Sequence, residues 1–355
     1  MDLASFFAPF EYKSLHLKNR FVMAPMTRLA SPNGVPTPAV ADYYARRAAG
    51  EVGLILTEGT VIDRPASKNE NDIPNFHGEA SLAAWKNVVE HVHAQQGVIA
   101  PQIWHTGSAA GMTGWIPPAP RENPATMSLQ DIEATIAAFG SAAKSAREAG
   151  FDAIELHGAH GYLIDEFFWD KTNPRTDDYG GNSIKERSRF AVAVAKAVRA
   201  AAGPDLAIIL RVSQWKGTDF NARLVNNPKE MEDWIGPLVD AGIDIFHASQ
   251  RRYWEPTFEG SDLNLAGWIK KVSGQPTITV GSIGLSGDVM GAFSGENSEV
   301  VTDMRELQRR FERGDFDLVA VGRSILHDPN WVKKVKNREF DQLKAFEAAS
   351  LQTLY

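Results

Sequence analysis

Cysteine is absent from all 355 residues. That removes disulfides, thiolate nucleophiles, cysteine-ligated zinc and iron–sulfur ligation from the chemistry this chain can carry. No G-x-G-x-x-G follows an early strand, which argues against a doubly wound dinucleotide-binding sheet. No run of eighteen apolar residues is present to span a bilayer. The first residues, MDLASFFAPFEYKS, have neither a basic n-region nor a long apolar core, so they are not a signal peptide and a cytoplasmic location is expected. Basic charge is not in excess either. The chain has 37 Lys and Arg against 44 Asp and Glu, a net charge of −7, with no Lys/Arg patch. Neither nucleic acid nor a membrane is expected as a partner.

What is present is a large apolar fraction, 43%, divided among short runs. Eight of them read as strands: 21–24, 52–57, 98–104, 151–156, 206–212, 243–247, 277–280 and 316–321. Helix-length segments separate most of them, at 38–48, 80–95, 129–149, 183–202, 228–241 and 302–313. Ser128 with Asp131 three residues on gives the third helix a capped start, and Gly150 is placed to end it. Pro101 inside the third strand implies a bulge or an early end. Eight β-then-α units imply an α/β fold, a (β/α)8 TIM barrel. The whole chain, 1–355, is expected to be one barrel domain, monomeric or homodimeric, with residues 8–18 a short extended entry, a tail over 329–355 that is mostly helical by composition, and 336–355 lying beyond the barrel. Two long rim excursions are expected. Residues 108–127 hold four prolines and Trp115 and read as a lid, and 249–262 are polar and aromatic.

The chemistry gathers after the fourth strand, in FDAIELHGAHGYLIDEFFWDKTNPRTDDYGG, 151–181. His157, His160 and Tyr162 put three proton-bearing side chains within six residues at a strand end, where barrels keep their active sites. Thr27, Gln102, His105, Arg211, Ser282 and Arg323 also lie at or just past strand ends. Gly281-Ser282 and Gly322-Arg323, after the last two strands, suit a phosphate or are ordinary turns. Arg211 is nearly internal to an apolar strand and needs an anionic ligand or a buried carboxylate. The histidine pair could ligate a metal with Glu155 or Asp165, although no further cluster completes such a site and no metal is expected. Alternatively the pair donates two hydrogen bonds to a substrate oxygen while Tyr162 gives up a proton.

Eight ordered segments bring a family into view: LKNRFVMAPMTR at 17–28, YYARRA at 43–48, GLILTEGT at 53–60, PQIWHTG at 101–107, ELHGAHGYLIDEFF at 155–168, NPRTDDYGG at 173–181, LRVS at 210–213 and VAVGRSILHDP at 319–329. The chain resembles the old yellow enzyme family of FMN-dependent ene reductases from about residue 5 to about 335. The resemblance implies non-covalent FMN at the C-terminal mouth of the barrel and a short N-terminal hairpin at 8–18. It implies that Pro25, Met26 and Thr27 lie beside the flavin, Thr27 bonding O4, with Glu58 also among the cofactor residues. Gln102 would bind the pyrimidine edge, Arg211 would face N1 and O2, and Gly281, Ser282, Gly322 and Arg323 would hold the phosphate. His157 and His160 would clamp a substrate oxygen and Tyr162 would donate the proton. NADPH or NADH is the implied reductant, and an enone, nitroalkene or related electrophile the oxidant. Thr27, in place of a cysteine, fits the classical branch, whereas Ser108 and the stretch 249–262 depart from it. The rivals are another FMN-barrel oxidation, of amines for example, a flavin-binding sensor without turnover, and a flavin-free phosphate-binding barrel.

Overall fold

The apolar runs pair side by side in the order of the chain. The computed structural model describes residues 2–355. It begins with an antiparallel hairpin, β1 (Phe10–Tyr12) and β2 (Leu15–Leu17). Eight parallel strands follow: β3 (Phe21–Met23), β4 (Leu54–Val61), β5 (Ile99–Trp104), β6 (Ala153–His160), β7 (Ala207–Lys216), β8 (Ile245–Ser249), β9 (Thr277–Val280) and β10 (Leu318–Val321). They close into a barrel in which β10 pairs with β3. All eight expected strands are present, and the (β/α)8 architecture stands. Among the described residues no helix is long and apolar enough to cross a membrane.

Strand alternation divides the apolar side chains into two cores. Phe21, Ile55, Ile154, Ile208, Leu210 and Val319 belong to the core that packs against the helices. Leu54, Leu56, Ala153, Ile209, Ile245, Ile278 and Leu318 belong to a second core inside the barrel, together with Phe10, Leu15 and Leu17 of the hairpin. The hairpin therefore closes the N-terminal end. Ser14 fixes it there, donating from Oγ to Asp152 O at 2.7 Å and accepting from Ala207 N at 2.8 Å. With the bottom closed by apolar groups, polar inward residues collect near the C-terminal mouth.

The helices are α1 (Pro38–Ala49), α2 (Glu79–Ala94), α3 (Leu129–Ala149), α4 (Leu163–Phe168), α5 (Ile184–Arg187), α6 (Arg189–Ala202), α7 (Pro228–Asp240), α8 (Leu265–Ser273), α9 (Val289–Phe293), α10 (Arg305–Glu312), α11 (Arg323–His327) and α12 (Trp331–Lys336). The expected capping box at Ser128 and Asp131 is formed, and Gly150 ends α3 in the left-handed conformation. Three expectations are corrected. The helix expected over 183–202 is divided at Ser188, whose hydroxyl bonds back to Ile184 O at 2.7 Å. Helices α4, α8, α9 and α11 lie in stretches read only as loops or left unassigned. The tail is helical only in α12 and in two 3-10 turns, Phe340–Gln342 and Ala348–Gln352. Beyond α12 it is a strap whose backbone carbonyls are engaged elsewhere: Arg28 donates to Leu351 O at 3.0 Å and Thr353 O at 2.7 Å, and Arg46 donates to Leu354 O.

Pro101 does not end β5. The β4–β5 register jumps between Leu56↔Ala100 and Gly59↔Gln102, so β4 carries the irregularity opposite the proline. Gly59 sits at that jump against the Trp104 indole. A Cβ there would fall 1.4 Å from Trp104 Cε3, and Trp104 in turn packs on His157 and Tyr162. Gly59→Ala should therefore cost at least about 1–3 kcal/mol by overpacking and displace the indole. Thermal melting together with tryptophan emission measures this; a wild-type melting point with unchanged emission would show that Trp104 has room to yield.

Candidate active site

Strand β6 runs four residues past the expected end, through His160, and so do the ends of β4 and β7 past theirs. This extension places Glu155 and His157 on the same inward face. The register sets His157 beside Arg211 and Arg211 beside His247, one on each of three adjacent strands, with Gln102 opposite Glu155. Beneath the mouth the Glu155 carboxyl joins two other strands: Oε1 accepts from Gln102 Nε2 at 2.7 Å and Oε2 lies 2.7 Å from His247 Nδ1. Glu155 is thus engaged internally and is not a metal ligand. Among the described residues no three His, Asp or Glu groups stand together as a metal site.

Arg211 is buried and has no ion pair or hydrogen bond among the described residues, and its Nε is an orphan donor. Burial pulls its pKa down, and the fields of Glu155 and Tyr162 oppose this. An unpaired buried guanidinium is costly unless a ligand supplies negative charge. The electron-rich edge of a flavin pyrimidine fits that requirement. Gln102, with Nε2 committed to Glu155, has its carbonyl oxygen left as an acceptor for the ring N–H.

Above Arg211 the histidines and tyrosine form one aromatic corner. The His157 ring is 5.1 Å from His160 and 4.9 Å from Tyr162, each nearly edge-on, and Trp104 backs Tyr162 at 4.7 Å. Burial first, then the Arg211 charge, holds both imidazoles well below their ordinary pKa, so they are neutral near pH 7. His157 Nδ1 is buried without a partner. His160 Nε2 bonds Ser249 Oγ at 2.8 Å, which orients the ring and leaves Nδ1 free. Burial raises the Tyr162 pKa against the opposing effect of Arg211, so the phenol keeps its proton. No described residue takes its hydroxyl. The arrangement offers two neutral N–H donors and one O–H acid to a ligand lying over Arg211.

The turn carrying these groups is locked from below. His160 is left-handed at φ 67°, and Gly161 follows at φ 83°. Gly161 N donates to Asp165 Oδ2 at 2.7 Å, and Lys216 Nζ meets Asp165 Oδ1 at 2.7 Å, both side chains fully buried. Burial pushes Asp165 up and Lys216 down, each toward neutrality, and their contact opposes this.

The other expected cofactor residues are placed as follows. Pro25, Met26 and Thr27 lie half-buried just past β3, and among the described residues the Thr27 hydroxyl has no hydrogen-bond partner. Glu58 is buried beside them. Its Oε2 accepts from Arg28 N at 2.9 Å, and burial pushes its pKa up to about 7; it anchors the Thr27 segment from behind. Gly281 (φ 143°) and Ser282 (φ 52°) form a tight turn, and Ser282 Oγ donates to Arg251 O at 3.0 Å. A Cβ on Gly281 would meet Gln250 O at 2.6 Å. Gly322 opens α11, and the Arg323 guanidinium bonds Asp288 O at 2.8 Å and Ser298 Oγ at 3.1 Å. Arg323 thus braces the 287–288 loop beside this turn. His105 is drawn away from the corner. Its Nε2 is 2.7 Å from Glu122 of the 108–127 excursion, where Arg64 also pairs with Glu122. Glu166 accepts from Ser108 N at 3.1 Å and holds the start of that excursion. Sequence reading missed Trp104, Ser249, Trp215, Lys216 and Glu155–His247 as supports. Only Glu155, two residues before His157 on an alternating strand, carried a signal that could have revealed it.

Lys216→Met leaves Asp165 buried without its counter-charge and should destabilise the fold by about 3–5 kcal/mol. Adding Asp165→Asn should recover much of that, because the amide oxygen still accepts from Gly161. Urea denaturation of the two variants decides; equal losses in both would mean that the buried charge is not the cause.

A model of the NADH:flavin oxidoreductase / NADH oxidase family matches residues 5–342. An NADH oxidase from Thermoanaerobacter brockii is 34% identical over 93% of this chain, which spans half of that relative's length. The 12-oxophytodienoate reductase 7 of Oryza sativa subsp. japonica is 31% identical, covering 94% of this chain and 88% of the relative. The solved structure of the old yellow enzyme homologue from Zymomonas mobilis superposes with a TM-score of 0.79 at 25% identity, over 98% of this chain and 96% of the other. The chain therefore belongs to the NADH:flavin oxidoreductase / NADH oxidase family, as a flavin-dependent enzyme of the old yellow enzyme kind.

Proposed function

We propose that this enzyme reduces activated C=C bonds of α,β-unsaturated carbonyls, nitroalkenes or similar electrophiles, using NADPH or NADH. The observation that carries the reading is the corner of two neutral imidazoles and a protonated phenol above an unpaired buried guanidinium. The enzyme's relatives, an NADH oxidase and a 12-oxophytodienoate reductase, support the same pairing of reductant and oxidant. FMN, when bound, supplies the hydride carrier between them.

The chain's residues have separate tasks. Arg211 and the Gln102 carbonyl would hold the pyrimidine edge, with Pro25, Met26 and Thr27 alongside and Glu58 fixing their backbone. Gly281, Ser282, Gly322 and Arg323 would hold the phosphate end. His157 and His160 donate to the carbonyl or nitro oxygen, withdrawing electrons from the alkene. Neutral imidazoles suit this task, since they donate without bringing a competing acid. Tyr162 transfers its phenolic proton to the α-carbon as hydride reaches the β-carbon.

Tyr162→Phe should leave reduction of the bound flavin by NADPH or NADH nearly intact, while reoxidation by cyclohexenone falls about 10²–10⁴-fold. Stopped-flow flavin absorbance reads both half-reactions. Equal slowing of the two would make Tyr162 a packing residue and remove the assignment.

The pKa directions give a second test. The histidines titrate well below their ordinary value and Tyr162 above its own. Enone reoxidation should then show no histidine or tyrosine break between about pH 6.5 and 9, and any break near 7 should vanish in Glu58→Gln, since burial pushes that carboxyl up to about 7. A break near the ordinary histidine value that persists in Glu58→Gln, with a neutral oxidant, would mean that the pair is solvated and charged in the working enzyme.

A further inference from the structure

A groove of about 430 Å3 leads outward from the histidine pair, between the loops that follow β7 and β8. Its inner wall is shared with the site. Ser249 bonds His160, the Trp215 ring lies 4.4 Å from the His160 ring, and both residues line the groove. Ser249 and Trp215 thus border both the histidine pair and the groove. Its frame is fixed by two glutamines. Gln214 accepts from Leu224 N at 2.6 Å and donates to Val225 O at 2.9 Å; Gln250 accepts from Leu265 N at 2.7 Å and donates to Glu255 O at 3.1 Å. These amides are committed to the loops, so recognition falls to other groups.

The charges along the groove do not cancel. Arg251 and Arg252 stand 2.5 and 3.5 Å from Asp288, and Arg252 also meets Glu255 at 3.2 Å, so two arginines face two acids. Asp219 is taken by Lys171 at 3.3 Å. Arg223 has no carboxylate partner among the described residues, and its one recorded bond is to Thr257 O at 2.8 Å. Two buried polar atoms of the lining, Arg251 Nε and Thr257 Oγ1, have no partner. Trp215 and Phe220, with ring centroids 6.0 Å apart, add an apolar wall. The uncompensated Arg223 guanidinium, beside the buried and unpartnered Thr257 hydroxyl, suits an anionic group that accepts from both.

We propose that this groove is a subsite for a carboxylate or phosphate carried by the molecule that stacks on the His157–His160 face, with Arg223 as its specificity residue. The proposal rests on the reading of that face as the reductase site and names the charge its ligands carry. The anion has two possible sources, the phosphates of the nicotinamide dinucleotide or an acid group on the electrophile. Both place negative charge at one end of a flat reacting group.

Arg223 is exposed, so Arg223→Gln should fold. Calorimetric titration of the oxidised holoenzyme needs no turnover. The probes are NADP+ against phosphate-free 1-methylnicotinamide, and 4-oxopent-2-enoate against its methyl ester, each at about 20 and 200 mM salt. The variant should bind at least one anionic probe about fivefold more weakly, with a flatter salt dependence and the phosphate- or carboxylate-free counterpart unchanged. Loss for NADP+ assigns the subsite to the reductant, and loss for the oxopentenoate assigns it to the substrate. Wild-type affinity for every probe overturns the proposal, as does equal weakening of each charged probe and its counterpart. Cyclohexenone reduction by the wild-type enzyme tests the reductase reading separately, so failure of one is not mistaken for failure of the other.

Discussion

The mouth of the barrel depends on the Glu155 carboxyl group. It lies inside the barrel where a polar group has no water to turn to, and it is tied to Gln102 on β5 and His247 on β8. Those two bonds cross the interior and fix the orientation of the Gln102 amide. The field of Glu155 also supports the charge of Arg211, which has no contact partner of its own. Without this carboxyl group, the Arg211 guanidinium and the imidazoles of His157, His160 and His247 would share the upper interior without its opposing charge. The unpaired donor that makes Arg211 useful is tolerable because Glu155 lies near it without neutralising it by direct contact.

The reacting groups are held by a second set of links, from outside the barrel. The turn at His160 and Gly161 has two successive left-handed residues, a conformation that a non-glycine residue adopts only when its surroundings impose it. Asp165 and Lys216 impose it from below, and Ser213 accepts the His160 N–H at 3.0 Å. On the opposite side of the mouth, Glu58 plays the corresponding part for the segment that ends in Arg28. In both places a buried acid grips backbone N–H next to a residue assigned to catalysis. A carboxylate is a strong acceptor, and the backbone has fewer soft degrees of freedom than a side chain.

Much of this was legible in the sequence. The eight apolar runs gave the barrel because its lower interior is apolar and its strands are short. Their ends were less legible. An apolar run stops at Leu156, but β6 continues as HGAH, since the inward positions near the mouth are polar. The same thing hides Glu58 to Val61 and Ser213 to Lys216. Helix α8 escaped notice behind the polar excursion, although Asn264 caps it with a bond to Gly267 N. The corner at His157, His160 and Tyr162 was readable because it is local. Its supports were not: Ser249, Trp215 and Lys216 are brought in by closure of the barrel, which no local pattern records. His105 also lies just past a strand end, and only the fold shows that Glu122 claims it. The tail misled by composition, since its backbone carbonyls answer to arginines about 300 residues earlier.

That strap sets an order of events during synthesis. Arg28 and the carbonyls it holds at Ser350, Leu351 and Thr353 are separated by 322 to 325 positions. At roughly 5–20 residues per second, about 15–60 s pass between the two ends of this contact leaving the ribosome. Until then the segment assigned to the flavin lacks these carbonyl contacts, although Glu58 and the Tyr43 ring already meet Arg28. Cofactor capture by a half-made chain would meet a loose platform on that side, so the growing barrel is best suited to take up its flavin late, when the strap arrives.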